Sequence, residues 1–252
     1  MIVDFKAYLI VCPLVFLAGF VDAIGGGGGL ISLPAYIFAG LPAPIAAATN
    51  KLSACVGTIA STTRYVKNKC YDIGLAIPAI IAALIGANIG ANIALSISEN
   101  TFKLIMLAVL PIIAIYVIFK KDLEPKGAAP KRSVQMLISC IFSLIIGTYD
   151  GIYGPGTGTF LILIYTSLAK IDVRTAGGNT KLVNLASNVA SLVVFLLNGR
   201  VLLPLGLTAS VFSVFGHYLG AGAAIKNGSK YVRFIIIIVI VLLVIKLLSE
   251  LI

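Results

Sequence analysis

Gly19-Phe-Val-Asp22-Ala-Ile-Gly25-Gly26-Gly27-Gly28-Gly29 recurs 128 residues later as Gly147-Thr-Tyr-Asp150-Gly-Ile-Tyr-Gly154-Pro-Gly156. Beyond these breaks the offset becomes 130: Lys51-Leu52 matches Lys181-Leu182, Ala60-Ser61 matches Ala190-Ser191, and Asn68 matches Asn198. Gly86-x-x-x-Gly90 matches Gly216-x-x-x-Gly220, and Lys103 matches Arg233. Matches that keep their order over about 85 residues are the mark of an internal repeat. The chain reads as two copies of one unit, residues 1–120 and 133–252, joined by a polar linker, 121–132.

Composition sets the solvent of that unit. Of 252 residues, 60% are hydrophobic and 11% are charged, against about 25% charged in an ordinary soluble domain. Mean hydropathy is +1.08. So few charges cannot cover a water-facing surface, which excludes a soluble globular enzyme. Disorder is excluded as well, because disordered chains are poor in apolar residues. Residues 23–50, 73–98, 151–169, 182–199 and 201–225 carry no Asp, Glu, Lys or Arg. A helix needs about 20 mostly apolar residues to cross the hydrocarbon core, and only helices and closed barrels satisfy their backbones in lipid. The alternation of a barrel strand is absent. The fold expected is an all-α polytopic membrane protein. The net charge of +10 belongs on cytoplasmic loops rather than against nucleic acid. Cys12, Cys55, Cys70 and Cys140 lack metal-ligand spacing and read as core filler. No cofactor or metal motif is present.

Each half divides into five apolar segments, near 5–23, 29–40, 44–66, 73–96 and 101–119, then 133–150, 157–169, 174–198, 203–225 and 231–250. The second segment of each half covers only about 20 Å at 1.5 Å per residue, and it follows a glycine-rich break. A broken or re-entrant hairpin is therefore expected rather than two full crossings. With that hairpin each half crosses an odd net number of times and the repeats are inverted. Fourteen of the 19 Lys and Arg then fall on the linker side, as the positive-inside rule requires. Parallel repeats give 11 against 8. The expectation is a cytoplasmic linker with both termini external, in the cell membrane.

Inverted repeats with broken helices are the architecture of many secondary transporters, whose sites lie where the repeats meet. Non-helical backbone at membrane depth must line a cavity or be buried in protein. A glycine turn before a half-helix offers free N–H groups and a positive dipole end, which suits an anion. Gly26, Gly27, Gly28 and Gly29 in the first half, and Gly154, Gly156, Thr157 and Gly158 in the second, are the turn candidates. The third segments are unexpectedly polar. Thr49, Asn50 and Lys51, and Asn179, Thr180, Lys181, Asn184 and Asn188, fall mostly on one face at steps of three and four. Lys51 and Lys181 either offer positive charge to an anion or snorkel to the interface. Asp22 and Asp150 each precede a glycine break and are candidates for proton coupling or for capping the turn. His217, the sole histidine, sits in an apolar segment opposite Ala87 in the other half. It is a second candidate proton carrier. Asn88 and Asn92 share a helix face, and Asp72 and Ser98 read as helix caps.

Two stretches carry a resemblance. Gly19-Phe-Val-Asp22-Ala-Ile-Gly-Gly-Gly-Gly-Gly-Leu-Ile-Ser-Leu-Pro34, followed by Ala48-Thr-Asn-Lys-Leu52, resembles the first half of the sulfite exporter TauE/SafE family, the toluene-sulfonate uptake permeases. Gly147-x-Tyr-Asp-Gly-x-x-Gly-Pro-Gly-Thr-Gly158, followed by Asn179-Thr-Lys-Leu-Val-Asn-Leu-Ala-Ser-Asn188, resembles its second half. The resemblance covers nearly the whole chain; the first motif departs only in its longer glycine run. It implies a transporter of small sulfur-containing anions such as sulfite, sulfonates or sulfoacetate. The expected function is secondary transport of such an anion, with the lipid bilayer as solvent and a coupling proton or cation as further partner. An anion channel is the alternative. No Gly-x-Ser-x-Gly elbow and no His-Glu-x-x-His motif points to an enzyme.

Overall fold

A computed structural model describes residues 4–98, 101, 125 and 127–226. The expected fifth and tenth segments, save Thr101, and residues 121–124 and 126 of the linker lie outside the described residues. Within them the chain is all helix: α1 Phe5–Gly25, α2 Gly29–Phe38, α3 Ala43–Lys67, α4 Ile73–Ser96, α5 Arg132–Ile152, α6 Thr157–Ser167, α7 Val173–Leu197 and α8 203–226. Four of these, α1, α4, α5 and α7, are long and apolar enough to cross a membrane. The two segments after the glycine breaks are helices of 10 and 11 residues, too short to cross, as their sequence length implies.

Local signals set the ends. Asp72 caps α4 by accepting from the N–H groups of Gly74 (3.1 Å) and Leu75 (3.3 Å). Its carboxylate also holds the Arg132 guanidinium at the start of α5, and those bonds keep it below the usual carboxylate range. Asp172 caps α7 through the N–H of Thr175 at 3.0 Å. Ser98 accepts from the N–H of Thr101 at 3.2 Å. The first half's break follows Gly25, with Gly26 at φ 74° and Gly27 at φ 88°. In the second half Gly154 and Gly156 take φ 94° and 86°. These left-handed conformations end α1 and α5 at a cost small only for glycine.

After its break α2 doubles back along α1. The N–H of Gly28 donates to Asp22 Oδ1 at 3.2 Å, and a Cβ on Gly28 would lie 2.4 Å from the Ala18 carbonyl. The two breaks meet: Thr159 Oγ1 donates to the Gly25 carbonyl at 2.8 Å, and a Cβ on Gly26 would strike the Thr159 nitrogen. Each short helix is anchored by a buried tyrosine, Tyr36 donating to Ser53 Oγ at 2.9 Å and Tyr165 paired with Ser143 Oγ at 2.8 Å.

The halves interlock. α3 packs on α7, and the pairs Lys51 with Asn188, Thr62 with Lys181 and Tyr65 with Gly177 run in opposite order along the two helices. These equivalent helices are therefore antiparallel. α4 of the first half packs on α5 of the second, with Gly86 and Gly90 against the backbone at Leu144 and Thr148. Gly216 and Gly220 of α8 pack likewise on the backbone at Phe16 and Phe20 of α1. The small-x-x-x-small spacing lets backbones approach closely, the usual basis of helix association in lipid.

Burial is distributed as in a membrane protein. Ile77, Ile81 and Ile85 of α4, Leu137, Ile141 and Ile145 of α5, and Leu207, Val211 and Phe215 of α8 face outward. The hydroxyls and amides of α3 and α7 face inward, including Thr49, Ser53, Thr58, Ser61, Asn184, Ser187 and Ser191. Lipid replaces water on the outer surface, so burial selects polarity rather than against it.

Candidate functional site

A small cavity lies where the two breaks meet α3, α7 and α8. Eleven of the binding and turn candidates line it: Asp22, Gly28, Gly29, Asn50, Lys51, Asp150, Gly154, Thr157, Gly158, Asn184 and Asn188, and the candidate proton carrier His217 joins them. They arrive from both halves. Helix geometry explains this for α3 and α7, since positions 50, 51, 54 and 58 and positions 184 and 188 project on one side at steps of three and four.

The central feature is an exchange of ion pairs. Lys51 of the first half reaches Asp150 of the second, Nζ to Oδ2 2.7 Å. Lys181 of the second half reaches Asp22 of the first, Nζ to Oδ2 2.8 Å, and its ammonium also donates to the Asp22 carbonyl. Lys51 and Lys181 are 4% and 0% exposed, so neither snorkels. A buried charge is tolerated only when paired and hydrogen-bonded, and each carboxylate has further donors. Asp150 accepts from Thr157 Oγ1 (2.8 Å) and Ser187 Oγ (2.7 Å). Asp22 accepts from the Gly28 N–H. Asp22 thus caps its turn and pairs with a lysine at once, whereas Asp150 pairs with Lys51 and meets its turn through the Thr157 hydroxyl.

The two pairs differ in access. Lys51 lines the cavity and donates also to Asn188 Oδ1 at 3.1 Å. Asn188 in turn donates to Asn184 Oδ1 at 3.4 Å. An ammonium has three N–H donors, and two of those on Lys51 are taken by Asp150 and Asn188. Lys181 sits behind Asp22 and does not reach the cavity wall. Ser32, Ser53, Thr58 and Ser213 also line the space. Thr58 Oγ1 is buried without a hydrogen-bond partner among the described residues, and Thr58 lines the cavity.

Several candidates lie elsewhere. Thr49 Oγ1 accepts from the Leu202 N–H at 3.0 Å, and Asn179 Oδ1 accepts from the Asp72 N–H at 2.8 Å. The two positions are equivalent in the repeats, and each ties down the residue ahead of α8 or α4. Thr180 is buried without a hydrogen-bond partner among the described residues, off the cavity. Gly26, Gly27 and Gly156 form the turns without lining the space. Asn88 and Asn92 face outward on α4, so they do not line it either. Ser32, Ser53, Tyr153 and Ser213 join the wall unforeseen. Ser213 stands four residues before His217 on one helix face, a pairing readable in the sequence; the others carry no such signal. Among the described residues no group of His, Cys, Asp and Glu is placed to hold a metal ion.

Comparison with known proteins gives this cavity its context. The family model described as Sulfite exporter TauE/SafE matches residues 11–247. A probable membrane transporter protein, ORF9, from Sinorhizobium sp is 34% identical over 93% of this chain and 90% of its own length. A probable membrane transporter protein from Haemophilus influenzae is 30% identical over 88% of this chain and 87% of its own. YfcA from Escherichia coli K12, also a probable membrane transporter protein, is 31% identical over 98% and 94%. No solved structure matches. The match runs through both glycine breaks, both lysines and both aspartates, and on that extent the chain belongs to the sulfite exporter TauE/SafE family of membrane transporters.

Proposed function

We propose that the protein is a secondary transporter of a small sulfur-containing anion, such as sulfite, a sulfonate or sulfoacetate, in the cell membrane. The observation that carries this reading is the cavity at the meeting point of the two breaks, lined from both halves and holding a buried ammonium. The anion sits against Lys51, the amides of Asn184 and Asn188, the hydroxyl of Thr58 and the turn backbone at Gly28, Gly29 and Gly158. Oriented hydroxyl, amide and N–H dipoles compensate a charge that water cannot reach.

The repeats 1–120 and 133–252 are taken as inverted, with linker 121–132 cytoplasmic. The antiparallel course of α3 and α7 supports this, since equivalent helices of parallel repeats would run the same way. The interlocking of α4 with α5 and of α8 with α1 supplies two similar bodies that can rock about the cavity and alternate its access.

Purified protein in liposomes tests the reading. With unlabelled sulfite inside and radiolabelled sulfite outside, a carrier gives saturable uptake stimulated by the internal anion. Methanesulfonate, sulfoacetate and sulfate serve as competitors and set the class. Flux that neither saturates nor responds to internal anion, together with unitary currents in planar bilayers, would establish a channel and overturn the carrier.

A further inference from the structure

His217 projects from α8 into a slot between α1 and α3 that only glycines leave open. A Cβ on Gly19 would lie 2.6 Å from Nδ1, and one on Gly57 would lie 2.5 Å from the same nitrogen. The ring is 3% exposed and borders the cavity. Nδ1 lies 3.0 Å from the Ser213 carbonyl oxygen and 3.3 Å from Ser213 Oγ. Among the described residues Nε2 has no hydrogen-bond partner, yet it stands 3.4 Å from Asp22 Oδ2. A carbonyl and a carboxylate are both acceptors. The Nε2–H tautomer donates to Asp22 and lets Nδ1 accept from the Ser213 hydroxyl, but it also sets that lone pair against the Ser213 carbonyl; the Nδ1–H tautomer sets a lone pair against Asp22. The imidazolium alone donates to both.

Charge arithmetic at the site points the same way. Two ammoniums and two carboxylates, Lys51 with Asp150 and Lys181 with Asp22, cancel. A monoanion entering leaves the site at −1, an expensive state away from water. One proton on His217 restores neutrality. The ionisable groups around the ring are Asp22 on α1, Lys181 on α7 beyond that carboxylate, and Lys51 on α3 with Asp150 on α5 across the cavity. Its own helix presents Ser213 and α3 presents Gly57, both uncharged. The equivalent position in the other half is Ala87, so the duplicated fold holds one such site.

The geometry points to His217 as a proton-binding site coupled to the anion: one proton enters with one monoanion, making the carrier a proton–anion symporter. This rests on the anion-carrier reading above. The proton comes from water on the loading side, forms an N–H bond on the ring facing Asp22 and Ser213, and returns to water where the anion leaves.

The chain has a single histidine, which makes the site directly visible. Full-length protein, purified without a polyhistidine tag and labelled in its histidine with ¹³C and ¹⁵N, gives one imidazole signal set in lipid nanodiscs. The signals are followed from pH 8 to pH 5, the range in which histidines change charge, with and without methanesulfonate, which stays singly charged throughout. Thermal-shift measurements with methanesulfonate, sulfite and sulfoacetate establish which anions bind. The expected result is conversion to the imidazolium, moved to higher pH by a bound anion. Reciprocally, the apparent affinity for the anion falls about tenfold for each pH unit above the conversion, and His217→Gln removes that dependence. A ring that stays neutral to pH 5 overturns the proton site. A conversion unmoved by an anion shown to bind overturns the coupling. Failure of every anion to raise the melting temperature overturns the anion reading and the coupling with it, and the titration then judges the proton site alone.

Discussion

Lys51 and Asp150 form a buried ion pair, Nζ to Oδ2 2.7 Å, that joins the two halves at the cavity. The sequence alone left open whether Lys51 serves the anion or the interface; the pair changes what its removal does. Lys51→Met strands Asp150 as an uncompensated charge, and breaking a buried pair in this way costs about 3–5 kcal/mol. The single variant should lose both folded yield and transport. Lys51→Met combined with Asp150→Asn removes both charges; it should recover most of the melting temperature while remaining inactive in liposome counterflow. Wild-type flux in the double variant would remove Lys51 from the binding site.

Gly154 and Gly40 separate backbone strain from site geometry. Both have positive φ, 94° and 88°. A Cβ on Gly154 would lie 2.8 Å from Asp150 Oδ1 and 3.1 Å from Lys51 Nζ, whereas a Cβ on Gly40 meets nothing within 4 Å. Gly40→Ala should cost only the left-handed strain, about 1–2 kcal/mol, and keep its flux. Gly154→Ala bears the same strain and also pushes the ion pair apart, so its transport should be lost. Equal flux in the two variants would mean that the pair tolerates displacement.

What was legible in the sequence was local or periodic. Asp72 and Asp172 sit where helix caps belong, and the run Gly25–Gly29 could not continue a helix. The polar stripe of α7 faces inward as its spacing implies. What was not legible was the partnering. Lys181 and Asp22 are 159 residues apart, and nothing in either segment says which carboxylate a lysine meets; the exchange between halves is a property of packing. Thr49 and Asn179 belong to the same polar stretches as Asn50 and Asn184, yet their oxygens meet the residue ahead of a neighbouring helix instead of the cavity. His217 was visible as a lone histidine in an apolar segment. The slot that confines it comes from Gly19 and Gly57, far away in sequence.

The course of the chain through the membrane is tested by labelling. α3 and α7 are antiparallel, and the two hairpins formed by α1 with α2 and by α5 with α6 each double back at a glycine break. If each half crosses an odd net number of times, the N-terminus and the linker fall on opposite faces. The 14 of 19 basic residues on the linker side then put the linker in the cytoplasm. In a variant with Cys12, Cys55, Cys70 and Cys140 replaced by Ser or Ala, Asp4→Cys should react with a membrane-impermeant maleimide in intact cells. Lys126→Cys should react only after the membrane is opened. Labelling of both from the outside, or of neither, would place the two on one face and overturn the inverted arrangement, since parallel halves return the linker to the side on which the chain began.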